Sequence, residues 1–238
     1  MLHVVFEVLA YAAACVVYLR RRRSQSDIIT DNNRSTVICA AMIGAALGCR
    51  LLAIGENPAQ FSWKQLLLLD GGKTIIGAIL GGWAAVEIAK RRVGIGLRTG
   101  DLLVQPLLIG TLIGRIGCFL AGTADQTFGR ATTLPWGFDF GDGVRRHPLQ
   151  LYEIIFLAMY YFMVERRRYP VLENGDRFRL YVFSYFGARF IFEFLKDAPR
   201  ALNLDVLQWA ALAGMLWCTP TISSILHRRR SLLIGRPA

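Results

Sequence analysis

Apolar residues recur along this chain in runs too long for one face of a soluble helix and too uniform for alternating strands. Seven such runs can be read, at residues 2–19, 35–54, 66–89, 101–121, 148–165, 177–195 and 205–226. Each approaches the roughly 20 apolar residues that a helix needs to cross the hydrocarbon core. Inside lipid a segment must satisfy its own backbone N–H and C=O groups, so isolated runs of this length predict helices. The pattern predicts an all-α, polytopic helical membrane protein with about seven transmembrane helices. Little sequence is left for a soluble domain, so residues 1–238 are expected to form a single transmembrane domain.

The polar positions refine this picture through their sign. Basic clusters fall at every second connection: Arg20-Arg21-Arg22-Arg23, Lys90-Arg91-Arg92, Arg166-Arg167-Arg168 and Arg228-Arg229-Arg230. Cytoplasmic connections carry such excess, which predicts an N-terminus outside and a cytoplasmic C-terminus. The first run has no basic residues ahead of it and four behind it, the charge order of an anchor rather than of a cleaved signal. The net charge of +11 is thereby accounted for by topology, and no nucleic-acid partner is expected.

Within the runs, small residues stand at GxxxG spacing: Gly44 with Gly48, Gly77 with Gly81, and Gly110 with Gly114. Such pairs let helix backbones approach closely in lipid, so spans two, three and four are expected to form a compact centre. The longest external connection, about 122–147, contains Gly129-Arg130, Leu134-Pro135-Trp136-Gly137 and Gly141-Asp142-Gly143. Glycine and proline so placed predict turns, and an ordered loop of this length is a functional candidate. The five cysteines, Cys15, Cys39, Cys49, Cys118 and Cys218, form no CxxC pair and no metal-ligand spacing. They read as small buried hydrophobes, and no metal site is expected.

Two charges are not explained by topology. Arg115 and Arg189 lie inside apolar runs, where an arginine costs about 3 kcal/mol at a helix centre on insertion scales. Glu193, four residues after Arg189, shares its helical face. One reading is a structural Arg189–Glu193 ion pair. The other is that Arg115 and Arg189, with Arg50 and Arg130, converge on one anion. Guanidinium pairs well with phosphate, and at a membrane surface the abundant phosphate belongs to a phospholipid headgroup. A second polar group, His147-Pro148-Leu149-Gln150-Leu151-Tyr152-Glu153, opens the fifth span. Pro148 suits a first helical turn, Gln150 and Glu153 share a face, and His147 is placed for proton transfer.

Together these stretches resemble the prolipoprotein diacylglyceryl transferase family of bacterial inner-membrane enzymes. Gly114-Arg115-Ile116-Gly117-Cys118-Phe119-Leu120-Ala121-Gly122, continuing to Gly129-Arg130, is similar to the family signature GRxGNFxNGExxGR, with a longer interval before the second GR. Residues His147 to Glu153 are similar to HPSQLYE, and Tyr185, Arg189, Glu193 and Phe194 to a later Y, R, VEF pattern. Tyr11, Gly48-Cys49-Arg50-Leu51 and Asp70-Gly71-Gly72 are weaker echoes. The resemblance implies transfer of a diacylglyceryl group from phosphatidylglycerol to the lipobox cysteine thiol of a prolipoprotein still carrying its signal peptide. Glycerol phosphate leaves, no metal or soluble cofactor is needed, and the enzyme sits among membrane lipids of the bacterial inner membrane. It assigns catalysis to Arg115, Arg189, Glu193, His147 and Tyr11. Substrate binding falls to Arg50, Gly114, Gly117, Cys118, Gly129, Arg130, Gln150, Tyr152, Glu153 and Tyr185.

The chain departs from the family pattern inside this presumed site. The third-span motif GGxSFHGG is here Gly71-Gly72-Lys73-Thr74-Ile75-Ile76-Gly77-Ala78, so Ile76 stands where the family has histidine. Cys118 stands where the family has asparagine, and reads either as a packed inert residue or as a reactive thiol beside Arg115. The glutamate after the next glycine has no counterpart, since Gly122 is followed by Thr123-Ala124-Asp125. A diverged transferase with another acceptor, and a lipid-binding subunit without chemistry, therefore stand beside the prolipoprotein reaction.

Overall fold

The computed structural model describes residues 2–24, 31–56, 73–166, 172–197 and 201–234. Seven α-helices occur among them: α1 Leu2–Ser24, α2 Asp31–Glu56, α3 Ile75–Arg92, α4 Val104–Ala121, α5 Leu149–Tyr160, α6 Asp176–Glu193 and α7 Val206–Ile234. A π-helical turn, Tyr161–Glu165, prolongs α5. The protein is thus mostly helical. Among the described residues four helices have the length and apolarity to cross a membrane, within His3–Ser24, Asn33–Glu56, Gly100–Ala124 and Val206–Leu232.

Helix ends differ from the hydrophobic runs for local reasons. The basic runs at 20–23 and 228–230 are not loops but helical turns that extend α1 and α7. Continuing the helix keeps the backbone bonded, and in α1 the cations of the last turn suit the negative end of the helix dipole. The third run is not one uninterrupted helix. Thr74 is extended, and its hydroxyl accepts from the Gly77 N–H, so α3 begins at Ile75. The part of that run at 66–72, with Asp70-Gly71-Gly72, lies outside the described residues, as do Asn57-Pro58, Lys64, Arg167-Arg168 and Arg200.

The helices gather into two compact units. One comprises residues 31–98 and 201–217 of the described chain. Its centre is the α2–α3 contact, where the paired glycines of the two helices face each other. A Cβ added at Gly48 would collide with the Gly77 carbonyl oxygen, and one at Gly81 with the Gly44 carbonyl oxygen. Trp83 stacks on Trp217 with ring centroids 4.2 Å apart.

The other unit comprises residues 2–24, 99–197 and 218–234 of the described chain. Here α4 lies along α1: a Cβ at Gly117 would strike the Phe6 side chain, and Gly110 faces Ala14. Of the third glycine pair, only Gly110 serves a contact with α1, while Gly114 has open space at its Cβ position. Leu108, Leu157, Tyr181, Val182 and Phe186 are buried in this unit. Asp101 fixes the start of α6 by accepting the Gly175 and Phe178 N–H groups at 2.7 and 3.0 Å. Those are orphan donors of a first helical turn, supplied with an acceptor from another element.

The connection between α4 and α5 is built rather than loose. Strands β1 Phe138–Asp139 and β2 Arg145–Arg146 pair antiparallel, with Phe138 opposite Arg146. In the turn between them the Asp139 carboxylate accepts the N–H groups of Gly141, Asp142 and Gly143 at 2.9, 3.1 and 3.0 Å. Gly141 and Gly143 have φ of 106° and 78°, which a side chain would strain. Phe119, Phe138 and Phe140 pack together beneath the hairpin.

Candidate active site

Three helices of the unit that carries the hairpin bring charge to one buried point. Glu153 on α5 is 1% exposed. Its Oε2 accepts from Arg115 Nε on α4 at 2.9 Å and from Arg189 Nη1 on α6 at 2.9 Å. Its Oε1 accepts from the Tyr185 hydroxyl at 2.5 Å. Arg189 Nη2 turns to Glu193, one helical turn along α6, and Lys196 Nζ lies 3.0 Å from the same carboxylate. Arg189 Nε is buried without a hydrogen-bond partner among the described residues.

This arrangement holds Arg115, Arg189 and Lys196 against the carboxylates of Glu153 and Glu193. Ions in a low-dielectric interior persist only when paired and hydrogen-bonded, and Glu153 supplies the pairing that keeps two guanidinium groups side by side. Arg115 Nη1 reaches Cys118 Sγ at 4.0 Å.

A second layer surrounds this centre. Gln150 Nε2 donates to Thr127 Oγ1 at 3.0 Å, and Thr127 donates to Asp125. His3 Nε2 lies 3.0 Å from Asp125 Oδ1 and 4.0 Å from Cys118 Sγ. On the hairpin side, Trp136 Nε1 donates to the Tyr152 hydroxyl at 2.9 Å, which lies 3.1 Å from His147 Nδ1. Gly129 is wedged between His147 and the Leu195 carbonyl, where a Cβ would be 2.8 Å from each. Its N–H donates to His147 O, and the Arg130 N–H to Leu195 O, at 2.8 and 2.7 Å. These bonds hold the loop, α5 and the end of α6 together. Arg130, Arg145 and His147 line an open pocket against the hairpin.

The structure thus brings Arg115, Glu153, Tyr185, Arg189 and Glu193 into one cluster, with Cys118 and Gln150 at its margin. Gly114 and Gly117 flank Arg115 on α4. Tyr11 lies on α1 and is 67% exposed, with its hydroxyl donating to Glu7 at 3.3 Å. Arg50 and the buried Ile76 belong to the other unit. Sequence reading gave Glu153 a supporting place, whereas here it is the acceptor for both arginines. His3 and Asp125 were not among the sequence-predicted site residues; the separation of 115 positions between His3 and Cys118 leaves no local signal. On the hairpin, outside the spans, the Arg146 hydrogen bond holds the Asp142 carboxyl below its usual range.

Comparison with known proteins places these observations in a family. The sequence model of the prolipoprotein diacylglyceryl transferase family matches residues 4–223. A phosphatidylglycerol–prolipoprotein diacylglyceryl transferase of Wolbachia sp. subsp. Brugia malayi (strain TRS) is 31% identical, over 88% of this chain and 79% of the relative. One so named from Wolbachia pipientis subsp. Culex pipiens (strain wPip) is 32% identical, over 92% and 83%. Another from Nitratidesulfovibrio vulgaris (strain DP4) is 33% identical, over 78% and 69%.

Proposed function

The chain belongs to the prolipoprotein diacylglyceryl transferase family, and we propose that it transfers a diacylglyceryl group from phosphatidylglycerol to the cysteine thiol of a prolipoprotein. The observation that carries this reading is the meeting of Arg115 and Arg189, from two helices, on the buried carboxylate of Glu153. The substrate thiol gives its proton to His147, its sulfur attacks the terminal glyceryl carbon, the carbon–oxygen bond to phosphorus breaks, and glycerol phosphate departs with the bonding pair. Charge gathers on the phosphate oxygen as that bond breaks. Arg115 and Arg189 are the cations placed to offset it, in a site already organised before reaction. Glu153, Tyr185 and Glu193 fix the two guanidinium groups, and Gln150, Tyr152, Gly129 and Arg130 shape the approach of lipid and signal-peptide region. His147, held by Tyr152, serves proton transfer, and Tyr11 supplies a hydrogen bond to the bound substrate.

The same reading sets the chain in a bacterial inner membrane as one multi-pass domain with seven crossings. Its N-terminus lies outside and its C-terminus in the cytoplasm. The four span-length helices and the alternating basic clusters support this.

The test is direct. Detergent-purified protein is incubated with phosphatidylglycerol and a lipobox peptide, and the peptide is examined by mass spectrometry for a diacylglyceryl adduct on cysteine. The expected result is an adduct whose rate falls by about 100-fold or more in Arg115→Ala and Arg189→Ala, the scale seen when one charge-stabilising donor is lost. A folded, lipid-binding sample that yields no adduct would reject the reaction.

A further inference from the structure

The transfer reaction makes a leaving group whose charge differs from that of its donor. Phosphatidylglycerol is a phosphodiester with one negative charge, whereas glycerol phosphate is a monoester carrying about −1.5 to −2 at neutral pH. The monoester is also soluble, so its way out leads from the helices to external water. Arg115 and Arg189 are already paired with the carboxylates of Glu153 and Glu193. The added charge of the product calls for cations that have no carboxylate of their own.

Such cations line the open pocket against the hairpin. Its volume is about 620 Å³, within the span of small-molecule sites. Arg130, Thr132, Thr133, Arg145 and His147 supply its polar wall, and no acidic side chain lines it. Among the described residues neither Arg130 nor Arg145 forms an ion pair. The hairpin's own acids are engaged elsewhere: Asp139 accepts three backbone N–H groups, and Asp142 faces Arg146. Arg145 gives Nε to the Gly137 carbonyl and Nη2 to the Pro135 carbonyl, at 3.0 and 2.8 Å. These bonds fix the guanidinium plane and leave Nη1 unbonded among the described residues. Thr132 Oγ1 accepts the Leu134 N–H at 3.3 Å, which keeps its hydroxyl hydrogen for another acceptor. The pocket thus combines hydrogen-bond donors with positive charge that nothing nearby offsets, and guanidinium matches the paired oxygens of a phosphate.

Backbone bonds join this pocket to the reactive cluster. The Arg130 N–H donates to the carbonyl of Leu195, two residues beyond Glu193, and the Arg130 carbonyl accepts the His147 N–H at 3.1 Å. We propose that the Arg130–Arg145 pocket receives the glycerol phosphate leaving group as a phosphomonoester and passes it to water; this rests on the transfer reaction proposed above. By that stage the carbon–oxygen bond has broken, its electron pair is on the phosphate oxygen, and the thiol's proton is on His147. The imidazolium so formed adds a third positive charge to the pocket wall. It returns its proton to solvent when the anion has left. The donor phosphodiester has half the charge and is tethered by its acyl chains, so the pocket favours product over donor and draws the reaction forward.

The test is calorimetric titration of the full chain in non-ionic detergent, without acceptor peptide. Glycerol phosphate is the probe, and glycerophosphoglycerol, the singly charged diester of the donor headgroup, is its control. Glycerol phosphate should bind once per chain and more tightly than the diester. Its affinity should fall about tenfold or more in Arg130→Ala, the scale of a lost hydrogen bond to a charged group. The Arg130 side chain is exposed and bonds to no described residue, so this variant keeps the fold's own contacts. Saturating phosphatidylglycerol should leave glycerol phosphate bound. Displacement by that lipid would place the anion at Arg115 and Arg189 instead, and would overturn the pocket. Equal affinity for the diester would make it a donor headgroup site and overturn its role in product release. Unchanged binding in Arg130→Ala would overturn the assignment of residues. Adduct formation by a chain that binds no glycerol phosphate would overturn the pocket and leave the transfer reaction standing. Binding by a chain that forms no adduct would leave a phosphomonoester site and remove its place in that reaction.

Discussion

The α2–α3 contact and the α4–α5–α6 cluster join helices by opposite means. At the first, Gly44, Gly48, Gly77 and Gly81 bring backbone against backbone with no space for a Cβ. Nothing titratable is involved, and the result is close packing where lipid offers no hydrophobic drive. At the second, Arg115, Glu153, Arg189 and Glu193 are held in the interior by mutual pairing. Buried ions are poor at raising stability compared with apolar packing. Retaining several at one point is reasonable where the chemistry needs charge, and a glycine seam is reasonable where it does not. One region should therefore be sensitive to charge and the other to volume.

The largest effect should come from Glu153→Gln. The variant keeps shape but leaves Arg115 and Arg189 adjacent without their shared counter-ion, and breaking a buried pair costs about 3–5 kcal/mol. Adduct formation should fall by about 100-fold or more, and the thermal midpoint in detergent should fall with it. Loss of activity at unchanged midpoint would mean that the cluster is held by its surroundings rather than by Glu153. Unchanged activity would sever the cluster from the reaction.

A smaller and different effect is expected from Gly81→Ala. The new methyl group meets the Gly44 carbonyl oxygen and the backbone of Gly48, neither of which has a flexible end that can give way. Overpacking of this kind costs about 1–3 kcal/mol. The midpoint should drop, while the adduct rate per folded molecule should stay near that of the parent chain. A rate that falls in step with Glu153→Gln would erase the distinction between the two regions.

The same contrast explains what could be read without coordinates. Arg115 and Arg189 stood out because a charge in an apolar run is costly, and Glu193 followed from its one-turn spacing. The glycine seam was visible as spacing, although Gly110 turned out to face Ala14 on α1. Helix ends were less legible, because the Thr74 cap and the helical continuation through Arg20–Arg23 are decided by single hydrogen bonds and by charge at a helix end. Least legible was the approach of His3 to Cys118 and Asp125. No periodicity links the start of α1 to the end of α4; their proximity follows from the close α1–α4 contact at Gly117 and Phe6.

The smallest effect should come from the hairpin, which uses charge at the surface. Arg146 Nη1 lies 2.6 Å from Asp142 Oδ1 and holds that carboxyl below its usual range. A carboxyl depressed in the folded state adds stability above its unfolded pKa and loses it as pH falls through the folded one. Asp142→Asn should thus lower the midpoint slightly at neutral pH, less in strong acid, and less again at high salt, because exposed pairs are screened. Asp139→Ala should do more, since it removes one acceptor from three backbone N–H groups whatever the pH. If Asp142→Asn were the more damaging of the two, the hairpin would be held by charge, as the arginine cluster is. If Asp139→Ala is, the hairpin is held by backbone geometry, as the glycine seam is.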